Sequence, residues 1–176
     1  MLPLIMTIPY QQATTFNGTS DFVDTGVKLF DTDKDFTVFM DFASDQTQSD
    51  DQATIAHCMN EQLPFPGLSV RDMPTDSSTN IRVDFFGSNG DIPKTEHNKL
   101  VITHTKNSNS IKVYPASNDA GQTISTTAYQ SITQNIILGA YQTENGTKGR
   151  YWKGTLNKFN VWFKTLTTEE INALFQ

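Results

Sequence analysis

The segment Phe36-Thr37-Val38-Phe39-Met40-Asp41-Phe42 gives the clearest indication of the fold. Residues 36, 38, 40 and 42 are all apolar. Every second side chain of a strand points to the same face, so this spacing predicts a β-strand with one face buried in a core. The stretch Ile81-Arg82-Val83-Asp84-Phe85-Phe86 repeats the pattern, with Ile81, Val83 and Phe85 directed inward.

Further apolar runs extend this pattern along the chain. Residues 100–105 and 110–114 flank the turn-forming stretch Lys106-Asn107-Ser108-Asn109, which predicts a hairpin. The remaining predicted strands are residues 14–16, 22–23, 54–58, 68–71, 134–140 and 156–163. Polar loops are expected at residues 46–52, 73–80, 88–96, 117–126 and 144–149. Many short strands with frequent turn signals favour an all-β sandwich of two antiparallel sheets.

The one helix that we predict lies at the end of the chain. Thr167 and Glu170 have the spacing of a capping box, and Leu166 and Ile171 have that of a hydrophobic staple. The helix should run to about residue 174. Because no repeat, linker or change of composition interrupts the 176 residues, we expect a single domain over residues 1–176.

Charge and composition exclude two classes of partner. The net charge is −6 and the Lys and Arg residues are scattered, so we expect neither nucleic acid nor an anionic membrane to bind. The apolar start, Met1-Leu2-Pro3-Leu4-Ile5-Met6, is too short for a membrane span and is expected to be a strand or a linker. Cys58 is the only cysteine, which rules out an internal disulfide.

The C-terminal part of the chain resembles the closing motif of laminin-G-like, concanavalin A-type domains. The matching stretches are Ile136-Ile137-Leu138-Gly139, then Trp152, Gly154 and Leu156, then Phe159-Asn160-Val161-Trp162-Phe163, and finally Leu166-Thr167-Thr168-Glu169-Glu170-Ile171. The stretch Phe16-Asn17-Gly18-Thr19-Ser20-Asp21-Phe22-Val23 is similar to the entry motif of that family. Asn157-Lys158 stands where the family has an acidic pair, which puts any role of that pair in doubt.

This resemblance implies a jelly-roll sandwich that binds carbohydrate and catalyses nothing. Domains of this kind bind sugars or glycoproteins, some bind calcium, and some are accessory modules of bacteriophage tail proteins such as decorated distal tail proteins. The implied partners are a cell-wall or cell-surface saccharide and a parent tail or surface protein. The implied location is the virion or the outside of a cell.

Two neighbouring predicted strands contribute the first candidate sugar-binding face. If Ile81, Val83 and Phe85 face the core, then Arg82, Asp84 and Phe86 face outward together. Arg71 should also face outward, because Leu68 and Val70 face the core. Aromatic rings stack on the apolar face of a sugar, while Arg and carboxylates bond its hydroxyls, so Arg71, Arg82, Asp84 and Phe86 are candidates. An ordinary solvated sheet face with one salt bridge is the alternative.

Two further aromatic residues are candidates near the C-terminal part of the chain. Tyr141 follows a glycine at the end of a predicted strand, beside the polar loop 144–149, where its ring can lie at a rim. Trp152 is included as well, although the family resemblance implies that its position packs in the core. Trp162 is expected on the outer face of its strand, where it could meet a neighbouring domain.

No catalytic or metal motif is complete. Retaining and inverting glycosidases need a pair of carboxylates, whereas Glu61, Glu96 and Glu144 stand far apart in predicted loops. His57 and Cys58 are adjacent on a strand, so they should point to opposite faces and not form a nucleophile–base pair. We therefore predict no enzyme activity. A protein-interaction module and a divergent glycoside hydrolase are the alternatives.

The sequence predicts no cofactor. Asp31-Thr32-Asp33-Lys34-Asp35 begins like a calcium loop, but Phe36 and Phe42 replace the glycine and glutamate that such a loop needs. Calcium held by another loop, for example with Asp119, stays open.

Overall fold

The computed structural model describes residues 13–45, 47, 52–60, 65–73 and 80–176. The strands and the helix follow in chain order as β1 (Thr14–Asn17), β2 (Val23–Asp24), β3 (Phe36–Ser44), β4 (Ala53–Met59), β5 (Gly67–Met73), β6 (Asn80–Phe85), β7 (Ser88–Pro93), β8 (Asn98–His104), β9 (Ser110–Tyr114), β10 (Gln122–Ser125), β11 (Ile137–Leu138), β12 (Tyr141–Gln142), β13 (Lys148–Gly149), β14 (Lys153–Trp162) and α1 (Thr168–Leu174).

The strands form two large antiparallel sheets. The first sheet has the order β1-β14-β3-β8-β9-β10, and the second has the order β2-β11-β4-β5-β6-β7. Strands β12 and β13 form a small hairpin of their own. The predicted all-β sandwich with one short C-terminal helix is confirmed, and so is the hairpin of β8 and β9.

The core between the sheets is filled from alternate positions of the strands. Phe36, Val38, Met40 and Phe42 of β3 all lie in it, as the spacing predicts. The second sheet meets them with Cys58, Leu68, Val70, Ile81, Val83 and Phe85. Since these side chains face inward, the residues between them on β4, β5 and β6 face away from the core.

The outer face of β3 is buried as well, which the sequence does not predict. Phe39 packs with Val101, Leu166 and Ile171 in a second apolar cluster on that side. The helix α1 covers this cluster. Trp162 packs at its border, half-buried, so the face on which we expected contact with a neighbouring domain is partly covered by the chain itself.

The capping box that begins α1 is confirmed. The backbone N–H of Glu170 donates to Thr167 Oγ1 (3.3 Å), and the backbone N–H of Thr167 donates to Glu170 Oε2 (2.8 Å). Leu166 and Ile171 meet in the second apolar cluster, as a hydrophobic staple requires.

Three stretches that we predicted to be loops contain strands instead. β7 lies within residues 88–96, β10 lies within residues 117–126, and β13 lies within residues 144–149. Each is the last strand of its sheet, and β10 buries only Ile124. An edge strand that buries so little apolar surface has no alternation that a sequence can reveal.

Phe86 is the clearest error of orientation. The strand β6 ends at Phe85, and Phe86 and Gly87 form the two-residue turn to β7, with φ values of 45° and 82°. Two positive φ values are the mark of a type I′ hairpin turn, which normally has Asn or Gly at the first position. Because the backbone turns here, the side chain of Phe86 returns to the core and is only 2% exposed.

Some predictions concern residues outside the described ranges. These are the N-terminal stretch from Met1 to Met6, Glu61, and most of the loops at 46–52 and 73–80. Within the described ranges, no helix has the length and apolar character needed to cross a bilayer.

Candidate functional site

A groove of about 350 Å³ lies on the outer face of the second sheet. Its floor is a row of directly opposed residues on adjacent strands, His57 on β4, Ser69 on β5, Asp84 on β6 and Asn89 on β7. These positions alternate with core residues along their strands. Its volume lies within the range of small-molecule sites in proteins.

Arg71 and Asp84 are joined across the floor. Arg71 donates from Nε to Asp84 Oδ2 (2.7 Å) and from Nη2 to Asp84 Oδ1 (2.6 Å), while its Nη1 donates to Gln52 Oε1 (2.9 Å). The side chains of Arg71 and Asp84 are only 18% and 12% exposed. This bidentate pair therefore presents rigid polar atoms to the groove.

Arg82 faces outward as predicted but lies apart from the groove. It is the direct register partner of Arg71, and it pairs with Asp91 on β7 through Nε (2.8 Å) and Nη2 (3.2 Å). The hydrogen bond from Arg82 lowers the pKa of the Asp91 carboxyl. The same face thus holds two Arg–Asp pairs, of which one borders the groove.

His57 is a groove residue that we did not predict. It is 2% exposed, and its Nε2 lies 3.2 Å from the backbone carbonyl oxygen of Gln142. Burial lowers the pKa of His57 to about 4, and the backbone groups of Gln142 and Met59 oppose this shift only in part. The imidazole is therefore neutral at pH 7.

The β12–β13 hairpin forms one wall of the groove. Tyr141 at its start packs its ring on His57, with the ring centroids 4.6 Å apart, and the Arg150 guanidinium lies 5.1 Å from the Tyr141 ring centroid. Hydrogen bonds from Thr54 N to Arg150 O and from Gly139 N to Ile55 O tie this segment to β4. Tyr141 thus lies at a rim, as we expected from its place after a glycine.

Phe65 supplies a second aromatic ring and was missed by the sequence analysis. It is 44% exposed, has a φ of 59°, and lines the groove just before β5. Its position between Pro64 and Pro66 in the sequence signals a constrained loop, but the sequence does not indicate which surface that loop reaches.

Two of the six candidates are core residues. Phe86 contacts Phe30, Phe85 and Tyr129, with ring centroids 5.1, 4.9 and 4.9 Å away. Trp152 is fully buried between the sheets, and its Nε1 donates to Ser44 Oγ (3.1 Å). Neither side chain lines the groove. The groove therefore brings together Arg71, Asp84 and Tyr141 of the candidates.

The model of the concanavalin A-like lectin/glucanases superfamily matches residues 17–172 of the chain. The chain belongs to this superfamily. No curated protein matches it at the level of sequence.

Several solved structures match this chain over most of its length. The Ruminococcus gnavus IT-sialidase CBM40 bound to α2,3-sialyllactose has a TM-score of 0.71 at 14% identity, over 96% of this chain and 98% of that one. The SAP-like pentraxin of Limulus polyphemus has a TM-score of 0.64 at 14% identity, over 95% and 83% of the two chains. The NanB sialidase of Streptococcus pneumoniae matches over only 27% of its own length, at 17% identity and a TM-score of 0.63. At identities this low, these TM-scores show a shared fold and nothing beyond it.

Glucanases within the concanavalin A-like superfamily need two carboxylates at their site. Among the described residues that line the groove, Asp84 is the only carboxylate, and it is held by Arg71. Glu96 lies in a bend before β8, and Glu144 lies in the turn between β12 and β13. Cys58 lies in the core on the opposite side of β4 from His57, as predicted, so the two form no nucleophile–base pair.

The described residues of this superfamily member form no cluster of possible metal ligands. No group of three or more His, Cys, Asp or Glu side chains there is arranged to hold an ion. The carboxylates of the calcium-like stretch have other partners: Asp31 pairs with Lys34, Asp33 Oδ2 accepts from Asn107 N (2.9 Å), and Asp35 Oδ1 accepts from Lys106 N (2.6 Å).

Proposed function

We propose that the chain is a non-catalytic carbohydrate-binding module that recognises a cell-surface saccharide in the groove on its second sheet. The observation that carries this proposal is the pairing of two accessible rings, Phe65 and Tyr141, with a floor of fixed polar groups. A sugar has apolar C–H faces and a ring of hydroxyls. Aromatic walls match the first feature, and the bonded Arg71–Asp84 pair matches the second.

The comparisons support the general class of ligand. The CBM40 module from Ruminococcus gnavus shares the fold over its full length and holds sialyllactose, in both the α2,3 and α2,6 forms. At 14% identity the sugar itself does not transfer to this chain. What supports the proposal is that the same sandwich serves as a sugar-binding module.

Among the described groove residues no second carboxylate accompanies Asp84, and this supports a binding role over a catalytic one. A glycosidase needs an acid together with a nucleophile or base, about 5 to 10 Å apart. Asp84 stands alone among the described groove residues and is neutralised by Arg71.

The biological setting that we propose is adhesion by a phage tail or other surface protein that carries residues 1–176 as one module. An open groove that exchanges water for small polar ligands gives affinities of about millimolar to micromolar. Many copies on one particle raise the effective concentration, so weak single sites still give stable attachment.

A glycan array probed with the full chain tests this function, once with added calcium and once with chelator. We expect binding that the chelator leaves unchanged and that Phe65→Ala and Tyr141→Ala each reduce at least tenfold. Phe163→Ala is the matched control, because Phe163 is similarly exposed (42%) but is not a groove residue. An empty array, equal binding by all variants, or hydrolysis of a bound glycan would overturn the proposal.

A further inference from the structure

Two polar atoms at the groove floor have no partner. Among the described residues, His57 Nδ1 and Ser69 Oγ are the buried side-chain atoms that make no hydrogen bond. The two residues are 2% and 3% exposed. A buried polar atom left unsatisfied costs about 1–3 kcal/mol, so such atoms are rare and call for a physical reason.

The two atoms belong to neighbouring positions. His57 and Ser69 are direct register partners on the antiparallel strands β4 and β5, and both line the groove. Side chains at such positions have Cβ atoms about 4.5–5.5 Å apart on the same face of the sheet. Two adjacent hydroxyls of one sugar ring can therefore contact both residues at once.

The protonation of His57 decides what Nδ1 can bind. Its Nε2 faces the carbonyl oxygen of Gln142, which only accepts, so Nε2 carries the ring proton. A neutral imidazole has one N–H, and Nδ1 is therefore an acceptor. An acceptor pairs with a hydroxyl, which donates, but not with a carboxylate or a carbonyl oxygen.

We infer that the groove floor recognises two adjacent hydroxyls of a neutral sugar ring, one donating to His57 Nδ1 and the other bonding Ser69 Oγ. This inference rests on the proposed function and adds the chemistry of the ligand. The Tyr141 ring lies against His57. Binding of the first hydroxyl therefore requires the Tyr141 ring to move from this position, and the displaced ring would then pack against the bound sugar.

Asp84 continues the row beside Ser69 as its register partner on β6. Each of its carboxylate oxygens already accepts one bond from Arg71, and each keeps a second lone pair. The next ligand hydroxyl along the row can donate to it. Nδ1 and this carboxylate both reject an acidic group, so the floor favours uncharged saccharides.

The test uses the full chain with ¹⁵N-labelled histidine and the methyl α-pyranosides of glucose, mannose and galactose at millimolar concentration. We expect at least one of them to move the His57 Nδ1 resonance upfield, as hydrogen bonding to an unprotonated ring nitrogen does. Replacing one contacting hydroxyl by hydrogen should weaken binding about tenfold.

Ser69→Ala is the decisive variant. Since Ser69 Oγ makes no bond in the free protein, its removal should leave the thermal midpoint unchanged or raise it, while sugar binding falls about tenfold. A purely structural serine would not separate these two readouts. Ser125→Ala, at an exposed position of β10 in the other sheet, is the control and should change neither.

The outcomes separate this inference from the proposed function. Glycan binding that is unaffected by Ser69→Ala and leaves His57 Nδ1 unmoved overturns the inference and keeps the function. Preferential binding of N-acetylneuraminic acid over the neutral pyranosides also overturns the inference alone. Absence of binding to every glycan on the array and to every pyranoside overturns both.

Discussion

Arg71 and Asp84 hold each other across β5 and β6 by two parallel hydrogen bonds, although neither is the direct register partner of the other. Arg71 stands opposite Arg82, and Asp84 stands opposite Ser69. The diagonal bond relieves the repulsion between the two arginines, since each then has its own aspartate. It also fixes the centre of the groove floor.

The contrast between the two arginines gives a stability prediction with an internal control. Arg71→Ala leaves the carboxylate of Asp84 little exposed and without its cation, so we expect the free energy of unfolding to fall by about 2 kcal/mol. Arg82→Ala opens a more exposed pair and should cost about 0.5 kcal/mol. Urea unfolding of both variants measures the difference, and equal losses would contradict it.

Arg71→Lys tests geometry apart from charge. Lysine keeps the positive charge near Asp84 but cannot form two parallel bonds and reach Gln52 as well. We expect glycan binding to weaken about tenfold while most of the stability is retained. The matched change, Arg82→Lys, should leave binding unaltered, and an equal loss in that variant would show that Arg82 also serves the site.

Alternation of apolar residues in β3 and β6 was enough to predict the sandwich. Because neighbouring residues of a strand face opposite sides, the same alternation predicted that Arg71 and Asp84 face outward. The alternation of side-chain direction also places Ser69 and His57 on the outer face. Only the register of β4 on β5 shows that these two residues are neighbours. That register depends on long-range pairing, which one sequence does not show. Phe65 and Tyr141 meet the same groove for a similar reason, because the chain path between distant segments brings them there.

The errors have local causes. Phe86 directly follows the apolar and polar residues of β6, so the sequence gives no sign that the strand ends before it. The chain nevertheless turns at Phe86, and Phe-Gly is not a common pair in such turns. Trp152 lies directly before β14, and its ring packs against the rings of Phe16 and Phe42. The buried position of Trp152 is the one that the family resemblance implied.

Phe86 should be needed for stability and not for binding. Its positive φ is unfavourable for a bulky residue, but the contacts with Phe30, Phe85 and Tyr129 compensate for that strain. We expect Phe86→Ala to lower the free energy of unfolding by about 3 kcal/mol. Phe163→Ala, at an exposed ring, should cost less than about 1 kcal/mol. Denaturant unfolding checks both, and comparable losses would be evidence against this account of the turn.

Cys58 should be inert in the folded protein. It is buried in the core, and burial raises the pKa of its thiol to about 12. The thiolate is the reactive form, so a disulfide reagent such as Ellman's reagent should not modify native protein at pH 8 over an hour. In denaturant one thiol per chain should react at once. Rapid reaction of the native protein would place Cys58 outside the core.

His57 should make the fold sensitive to mild acid. Burial first, and the nearby charges of Arg150 and Arg71 next, lower the pKa of His57 to about 4 from an ordinary value of 6.5. Between these two values the unfolded chain binds a proton that the folded chain does not bind. Stability therefore rises with pH across this window, and it falls as the pH drops from about 6.5 toward 4. The whole effect is about 3 kcal/mol.

His57→Phe isolates this contribution, because it keeps a ring against Tyr141 and removes the titration. Asp84 on β6 and the guanidinium groups of Arg71 and Arg150 are the other charged groups near His57, and both proteins contain them. We expect the loss of unfolding free energy between pH 7 and pH 4, measured by urea unfolding, to be smaller in the variant by up to about 3 kcal/mol. Parallel pH profiles for the two proteins would mean that His57 is already solvated or protonated in the fold. In that case His57 Nδ1 would not be a neutral acceptor at the groove floor, and His57 would not explain a loss of stability in mild acid.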